Sequence, residues 1–223
     1  MKRELKDLLK EIDAEARATA SYTGRRKFAD RVMHALGEVP REEFVPEGSR
    51  FLAYDNGPLP IGYGQTISQP YIVALMTDVL DITPDCVVLE VGTGSGYQAA
   101  VLTRLAHQVY SIEYVAELAQ SASERLARLG YGNVEVRHSN GYLGWIEKAP
   151  FDRIIVTAAA PYIPQSLIDQ LKPGGRMVIP VGRPYSHQEL VLLTKAEDGT
   201  TETRNLLPVA FVPLVSEPPS DEA

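Results

Sequence analysis

A glycine-rich stretch, EVGTGSG at residues 90–96, constrains the fold of this chain more than any other feature. The apolar run before it predicts a buried strand that ends at residue 91, and residues 97–106 predict a helix after it. Glycines let a backbone turn tightly and approach a ligand closely, and a helix N-terminus offers unpaired N–H groups. The order of strand, glycine turn and helix therefore predicts a nucleotide-binding loop in an α/β fold.

The spacing of the three glycines distinguishes between two classes of cofactor. A dinucleotide fingerprint has the form G-x-G-x-x-G, whereas here the third glycine comes one residue early and Tyr97 stands at the dinucleotide position. This spacing, with an acid two residues ahead of it, is typical of S-adenosylmethionine-dependent methyltransferases. We therefore expect S-adenosylmethionine as the cofactor, and an NAD-dependent oxidoreductase is the disfavoured alternative. The expected cofactor-binding residues of the loop are Glu90, Gly92, Thr93, Gly94, Ser95 and Gly96.

An acid at the end of the next predicted strand agrees with this cofactor. Residues 108–113 predict a strand that ends in Glu113. A carboxylate in that position can accept hydrogen bonds from both ribose hydroxyls of an adenosine. A glycine turn alone, or a glutamate after a strand alone, would indicate little, but the two in this order predict a cofactor site.

Alternating strands and helices after residue 86 predict an α/β fold with a doubly wound, mostly parallel sheet. The last two strands have no helix between them, so we expect them to pair antiparallel. Helices precede the sheet, and Gly37 is expected just beyond the end of one of them. The predicted strands are 87–91, 108–113, 134–138, 153–157, 177–181, 189–194 and 209–215, and the predicted helices are 2–18, 26–36, 70–80, 97–106, 115–129 and 164–171, with a turn at 172–175.

The 223 residues are enough for one compact domain with additions at its ends. We expect residues 1–80 to form an N-terminal helical segment and a substrate lid, and residues 81–215 to form the methyltransferase core. Residues 216–223, rich in proline and acids, are expected to be a disordered tail.

Composition excludes several classes of function. The formal net charge of −7 disfavours a nucleic acid as the main ligand. The sequence has no apolar run long enough to cross a bilayer, and it opens on a charged amphipathic helix rather than a signal peptide. The single cysteine, Cys86, excludes an internal disulfide and fits a reducing compartment, so we expect a cytoplasmic protein.

No metal site or activated nucleophile is predicted. The four histidines are scattered, without the spacing of metal ligands. No set of residues has the pattern of a nucleophile, a base and an orienting group. A hydrolase would need such a set, whereas transfer of an already activated methyl group would not.

The stretch LPIGYGQTISQP at residues 59–70 is unusual for a linker. It combines glycines, small hydroxyl side chains and amides, which suit a lid that folds over a ligand. An ordinary loop packed on the edge of the sheet is an equally good interpretation of these residues.

Residues 62–74, GYGQTISQPYIVA, closely resemble the signature of protein-L-isoaspartate O-methyltransferases. The resemblance runs over roughly residues 25–215 and includes VPREEFVP at 39–46, AAAP at 158–161 and LKPGGR at 171–176. Many methyltransferases share the glycine motif, whereas the signature at 65–70 is specific to this family.

The resemblance implies methyl transfer from S-adenosylmethionine to the α-carboxylate of L-isoaspartyl residues in damaged proteins and peptides, with S-adenosylhomocysteine as product. The ester then cyclises to a succinimide, which can open to normal aspartate. The resemblance also implies that Ser68 is the active-site serine. From the composition we expect no nucleic-acid or membrane partner, and we expect the enzyme to be a monomer. The implied cofactor contacts outside the glycine loop are Gln65, Thr66, Ile67, Ser68, Glu113, Asn140 and Gly141.

Two positions depart from the family pattern. Asn140 stands where the family usually has an aspartate, so its oxygen would accept from the adenine amino group without charge assistance. Ala210 stands where the family often has an arginine.

The alternatives that stay open are a methyltransferase for another small carboxylate or for RNA, and a silent module that only binds the cofactor.

Overall fold

The computed structural model describes residues 3–183 and 186–215, and every structural statement below concerns these residues. The α-helices are α1 (Arg3–Ala18), α2 (Ala20–Thr23), α3 (Asp30–Glu38), α4 (Pro70–Val79), α5 (Tyr97–Thr103), α6 (Ala116–Arg128) and α7 (Gln165–Asp169). The strands are β1 (Leu59–Gly62), β2 (Gln65–Ile67), β3 (Val87–Val91), β4 (Gln108–Glu113), β5 (Val134–His138), β6 (Phe151–Val156), β7 (Leu171–Gly182), β8 (Gln188–Lys195) and β9 (Thr201–Val209).

The larger of the two sheets in this part of the chain has seven strands in the order β5-β4-β3-β6-β7-β8-β9. The pairs from β5 to β7 are parallel, and β8 and β9 continue the sheet in antiparallel pairing. The predicted fold class is therefore confirmed. Because the chain moves outward from β3 to β5 and then returns to β6 beside β3, the strand order reverses between β3 and β6. Ligands of open α/β sheets bind at such a point, outside the carboxyl ends of the strands.

Both faces of the sheet are covered, as a parallel sheet requires. Alternate residues of a strand point to opposite faces, and in β3 Val88 belongs to one buried cluster while Leu89 and Val91 belong to the other. The apolar run that predicted this strand is continuous because both of its faces are buried.

Helix α1 packs against the core instead of extending away from it. Its buried residues are Leu5, Leu8, Ile12 and Ala16, whose spacing of three and four places them on one face. Just beyond this helix, Thr19 Oγ1 lies 2.6 Å from the Tyr71 hydroxyl of α4. The end of α1 is therefore tied to the start of α4, the helix that follows the predicted lid.

The last strand is not where the sequence suggested. It is β9, at Thr201–Val209, and not residues 209–215. The first five residues of β9 are exposed and polar, so apolar patterning could not reveal a strand held by backbone bonds to β8. Residues 210–215 instead cross the carboxyl end of the sheet, where Leu214 N–H donates to Ala159 O at 2.8 Å.

Three smaller boundaries also differ. Helix α3 continues through Gly37, because Val39 N–H still donates to Ala35 O, so Gly37 is not its terminating residue. The predicted turn at 172–175 lies inside β7, where Gly174 has φ +71° beside an irregularity in the pairing with β6. No helix or strand is predicted for residues 40–58, where the chain forms two 3₁₀ helices, Arg41–Phe44 and Glu47–Leu52. The expected tail at 216–223 lies outside the described residues.

Candidate active site

The glycine loop follows β3 directly and lies at the reversal of strand order. Gly92 has φ +100°, and a Cβ there would overlap the Thr157 hydroxyl. That hydroxyl donates to Gly92 O at 2.6 Å, so it joins the loop to the end of β6. The site therefore requires glycine at position 92, both for its backbone angle and for the approach of Thr157.

Glu113, at the end of β4, faces this loop. Its carboxylate accepts from Gly94 N–H at 2.7 Å and from Val115 N–H at 2.9 Å, one bond to each oxygen. The residue is only 7% exposed, so these bonds offset its loss of water. Each carboxylate oxygen keeps a further lone pair, and Glu113 lines a cleft with Gly92 and Gly94. We call this the cofactor cleft.

Asn140 and Gly141 form the next part of the wall, beyond β5. A Cβ on Gly141 would lie 2.5 Å from Val91 Cγ1, so only glycine fits against β3 here. Asn140 Oδ1 accepts from Tyr142 N–H at 2.9 Å and so caps the 3₁₀ turn Gly141–Leu143. Gly141 lines the cofactor cleft, and Asn140 lines the adjoining surface beside Val115.

Two predicted members of the cofactor set lie behind the loop: Gly96 is buried against Leu126 of α6 and lines none of the clefts, and Glu90 faces the protein interior. It is fully buried and lines neither the cofactor cleft nor the neighbouring clefts described below. The Ser111 hydroxyl donates to its carboxyl group, and Ser111 Oγ lies 2.6 Å from Thr93 Oγ1. Burial raises the pKa of Glu90 to about 8, so the group is mostly protonated at neutral pH. Its place in the structure is that of a support beneath the loop at Thr93.

The lid region is a hairpin of β1 and β2. Leu59 pairs with Ile67 and Pro60 with Thr66, and the chain turns at Tyr63 and Gly64, both with positive φ. Its Ile61 side chain lies over the glycine loop, since a Cβ on Gly94 would lie 3.3 Å from Ile61 Cδ1. The hairpin thus brings Gln65 and Thr66 to the cofactor cleft, while Ile67 is buried.

A second cleft, of about 330 Å³, lies on the other side of the hairpin. We call it the acceptor cleft. It combines segments that are far apart in the sequence: helix α1, the end of the hairpin, the start of α4, the end of β9 and the chain that follows it. The lining residues are Glu15, Pro58, Thr66, Ser68, Gln69, Tyr71, Ile72, Thr157, Leu207, Pro208, Val209, Ala210 and Phe211.

Thr66 and Thr157 line both clefts, and a small third cleft links Ser68 to the glycine loop. The third cleft is lined by Ser68, Thr157 and residues 92–95 of the glycine loop. A group held by the glycine loop and a group held at Ser68 can therefore approach each other directly.

Arg41, a buried side chain, holds the backbone of Ser68 in place. Arg41 is 1% exposed, and its guanidinium lies over the Tyr97 ring, 4.8 Å from the centroid. Its Nη2 donates to Ser68 O at 2.8 Å. Sequence reasoning did not single out Arg41, Thr157 or Glu15. A polar residue at the carboxyl end of a parallel strand could have indicated Thr157, whereas only tertiary packing brings the other two to the site.

Residues 3–183 and 186–215 contain neither a cluster of metal ligands nor a membrane-spanning helix. No three side chains among histidine, cysteine, aspartate and glutamate are placed to hold a metal ion. None of the described helices is both long enough and apolar enough to cross a membrane.

Fold and site together define a class. A doubly wound sheet whose first strand leads into G-x-G-x-G, with an acid at the end of the second strand, is the arrangement of S-adenosylmethionine-dependent methyltransferases. The family profile described as protein-L-isoaspartate(D-aspartate) O-methyltransferase (PCMT) matches residues 21–218. The chain belongs to this family, and its reaction is methyl transfer from S-adenosylmethionine to isoaspartyl residues.

Individual relatives agree with this assignment. A protein-L-isoaspartate O-methyltransferase 2 from Syntrophobacter fumaroxidans is 59% identical over 207 residues, which are 93% of this chain and 84% of that protein. A protein-L-isoaspartate O-methyltransferase 2 from Nitrosococcus oceani is 58% identical over 212 residues, which are 95% of this chain and 96% of that protein. A crystal structure from Plasmodium falciparum is similar to this fold, with a TM-score of 0.78 and 27% sequence identity. The similarity covers 94% of this chain and 97% of the other, which is assigned as a protein-L-isoaspartate O-methyltransferase in complex with S-adenosyl-L-homocysteine.

Proposed function

We propose that the two clefts divide the substrates of this reaction between them. The cofactor cleft takes S-adenosylmethionine, and the acceptor cleft takes the isoaspartyl residue with its α-carboxylate at Ser68. The observation that supports this division is the small cleft shared by Ser68, Thr157 and the glycine loop. It is where a methyl group and a carboxylate could face each other without water between them.

The residues present fit the cofactor. Gly92 and Gly141 line the cofactor cleft with backbone alone, because a Cβ there would overlap Thr157 or Val91, and Glu113 offers two acceptor oxygens for the ribose hydroxyls. Asn140 and Gly141 would border the adenine, and Gln65, Thr66, Thr93 and Ser95 would border the remaining part. Ile67 would act through packing, and Glu90 through Ser111 and Thr93.

The chain has no need of a general base. An α-carboxylate has a pKa of roughly 3.5 and is ionised near neutral pH, and the bound sulfonium supplies an already activated methyl group. The protein must align acceptor oxygen, methyl carbon and sulfur, which can lower the barrier by roughly 7–11 kcal/mol. Exclusion of water strengthens the attraction between carboxylate and sulfonium. Ser68 orients the carboxylate by a hydrogen bond.

We also propose the setting in which the enzyme works. We propose that it acts as a monomer. A single cysteine that is buried and free, Cys86, requires no oxidising compartment and supports a cytoplasmic location. The net charge of −7 argues against nucleic acid as a partner. Residues 1–80 then mainly shape the acceptor side and residues 81–215 the cofactor side, although 207–211 serve the acceptor cleft.

The test is transfer of a labelled methyl group to two matched peptides, one isoaspartyl and one aspartyl. We expect label only on the isoaspartyl peptide, and we expect Ser68→Ala to lower kcat/KM by roughly 10- to 150-fold, the value of a hydrogen bond to a charged group. Ser123→Ala, an exposed serine on α6, is the matched control. Equal transfer to both peptides would overturn the proposal, and complete inactivity of a folded Ser68→Ala would indicate a covalent or proton-transfer role instead.

A further inference from the structure

The acceptor cleft contains one charged side chain among the described residues that line it, Glu15. We infer that Glu15 sets a substrate preference: the enzyme favours isoaspartyl residues flanked by lysine or arginine over those flanked by acids. This inference rests on the proposed function, because it places the peptide in this cleft.

Glu15 belongs to a part of the chain that the family profile does not match. The profile begins at residue 21, whereas Glu15 lies in the last turn of α1. An acid in the last turn is unfavourable for the helix itself, because the carboxyl end of a helix has a partial negative charge. Since the charge does not serve the helix, the acceptor cleft is the place where it can act.

Neutral groups fix the carboxylate in position. Glu15 Oε2 accepts from Asn56 Nδ2 at 2.7 Å and from Gln69 Nε2 at 3.2 Å. Asn56 is held in turn, because its Oδ1 accepts from Tyr71 N–H at 3.0 Å. The position of the charge is thus set by amides, which orient the carboxylate without cancelling its charge.

No lysine, arginine or histidine in the described ranges forms an ion pair with Glu15. Its contact residue Gln69 directly follows Ser68, where the isoaspartyl carboxylate is proposed to lie. The side chain is partly exposed on the wall of the cleft. A cation next to the isoaspartyl residue would therefore meet an uncompensated negative charge, and an acid would be repelled.

The size of the effect follows from the exposure of the pair. A partly solvated charge pair changes binding by roughly two- to fivefold, and opposite preferences for a cation and an acid multiply. We expect KM to differ by roughly tenfold between the two kinds of peptide, with little change in kcat, because the contact is the same in ground and transition states.

Three isoaspartyl peptides that differ only in the two flanking residues test this: lysine, glutamine or glutamate on both sides. KM and kcat are measured at low and high salt for the wild type, for Glu15→Gln and for Glu11→Gln. Glutamine at position 15 keeps an oxygen that can accept from Asn56 and Gln69. Glu11→Gln makes the same charge change one turn earlier in the same helix, at an exposed position that does not line the acceptor cleft. Melting temperatures verify that both variants are folded.

The wild type and Glu11→Gln should rank the peptides lysine, glutamine, glutamate by rising KM, with a smaller spread at high salt. Glu15→Gln should bring the three KM values within about twofold. The inference is overturned if the wild type shows no ranking, if Glu15→Gln keeps it, or if Glu11→Gln loses it equally. Transfer to all three peptides without a ranking would refute only the role of Glu15, whereas no transfer to any of them would refute the proposed function.

Discussion

The cofactor cleft and the acceptor cleft are built in different ways. The cofactor cleft is formed by short turns at the carboxyl ends of adjacent parallel strands, where Gly92 and Gly141 have no room for a side chain. The acceptor cleft is assembled from a helix, a hairpin, the end of β9 and the chain after it, and side chains such as Glu15 and Ser68 define it. Backbone geometry therefore determines one site and side-chain identity the other, so the first should tolerate far less change.

The sharpest test of this difference compares alanine at two glycines of positive φ. Gly92→Ala adds a Cβ that overlaps the Thr157 hydroxyl, whereas Gly64→Ala, at φ +70° in the hairpin turn, meets no atom within 4 Å. Overpacking and backbone strain together should weaken S-adenosylmethionine binding by roughly 100-fold or more for Gly92→Ala. Gly64→Ala has only the strain of a left-handed alanine, about 1–2 kcal/mol of folding stability. Calorimetric titration and thermal melts check both, and equal cofactor affinities would remove the contrast.

Glu113→Gln tests whether the cofactor side also depends on one charge. The carboxylate accepts from Gly94 and Val115 with separate oxygens, and an amide has only one acceptor oxygen. We expect the Kd for S-adenosylmethionine to rise roughly 10- to 150-fold, with kcat at saturating cofactor nearly unchanged. Ser68→Ala should do the reverse and lower kcat/KM for the peptide while the cofactor Kd stays the same. A variant of either residue that moved both quantities together would show that the clefts are not separate.

Glu90→Gln tests the buried carboxyl group beneath the glycine loop, through the pH dependence of the protein's stability. The pKa of Glu90 is raised from its ordinary 4.5 to about 8 by burial, so the native state binds the proton more tightly than the unfolded chain. The free energy of unfolding of the wild type therefore falls as pH rises from about 4.5 to about 8 and is level above it. A glutamine has no such loss, so its melting temperature should match the wild type near pH 5 and exceed it by several degrees at pH 8.5, at about 2–4 °C per kcal/mol. The same difference in melting temperature between variant and wild type at both pH values would contradict the raised pKa.

Asn140→Asp should have the smallest effect. The asparagine oxygen already accepts from Tyr142 N–H and has one lone pair left for the adenine amino group. An aspartate would make that bond charge-assisted, so we expect S-adenosylmethionine to bind about threefold more tightly, without a change in kcat. Titration calorimetry that finds equal or weaker binding in the aspartate variant would sink this expectation.

The same contrast explains what the sequence could predict. The glycine loop, the strand that ends in Glu113 and the order of the parallel strands follow from local patterns, because buried strands and glycine turns have distinct residue types. Ser68 came from the family signature and not from physical patterning. The polar strand β9 and Glu15 could not be predicted, because backbone pairing holds the first and helix packing alone brings the second to the cleft.

Residues 207–215 determine at which stage of its synthesis the chain can complete both clefts. They line the acceptor cleft up to Phe211 and the cofactor cleft from Val212 onward, and Ala159 fastens them to the sheet through two backbone bonds of 2.8 Å. A ribosome delivers this segment together with the end of β9, after the other six strands of the sheet. The nascent chain can thus bury its core while both of its substrate sites are unfinished, and a chain cut at residue 206 would lose both sites in one event.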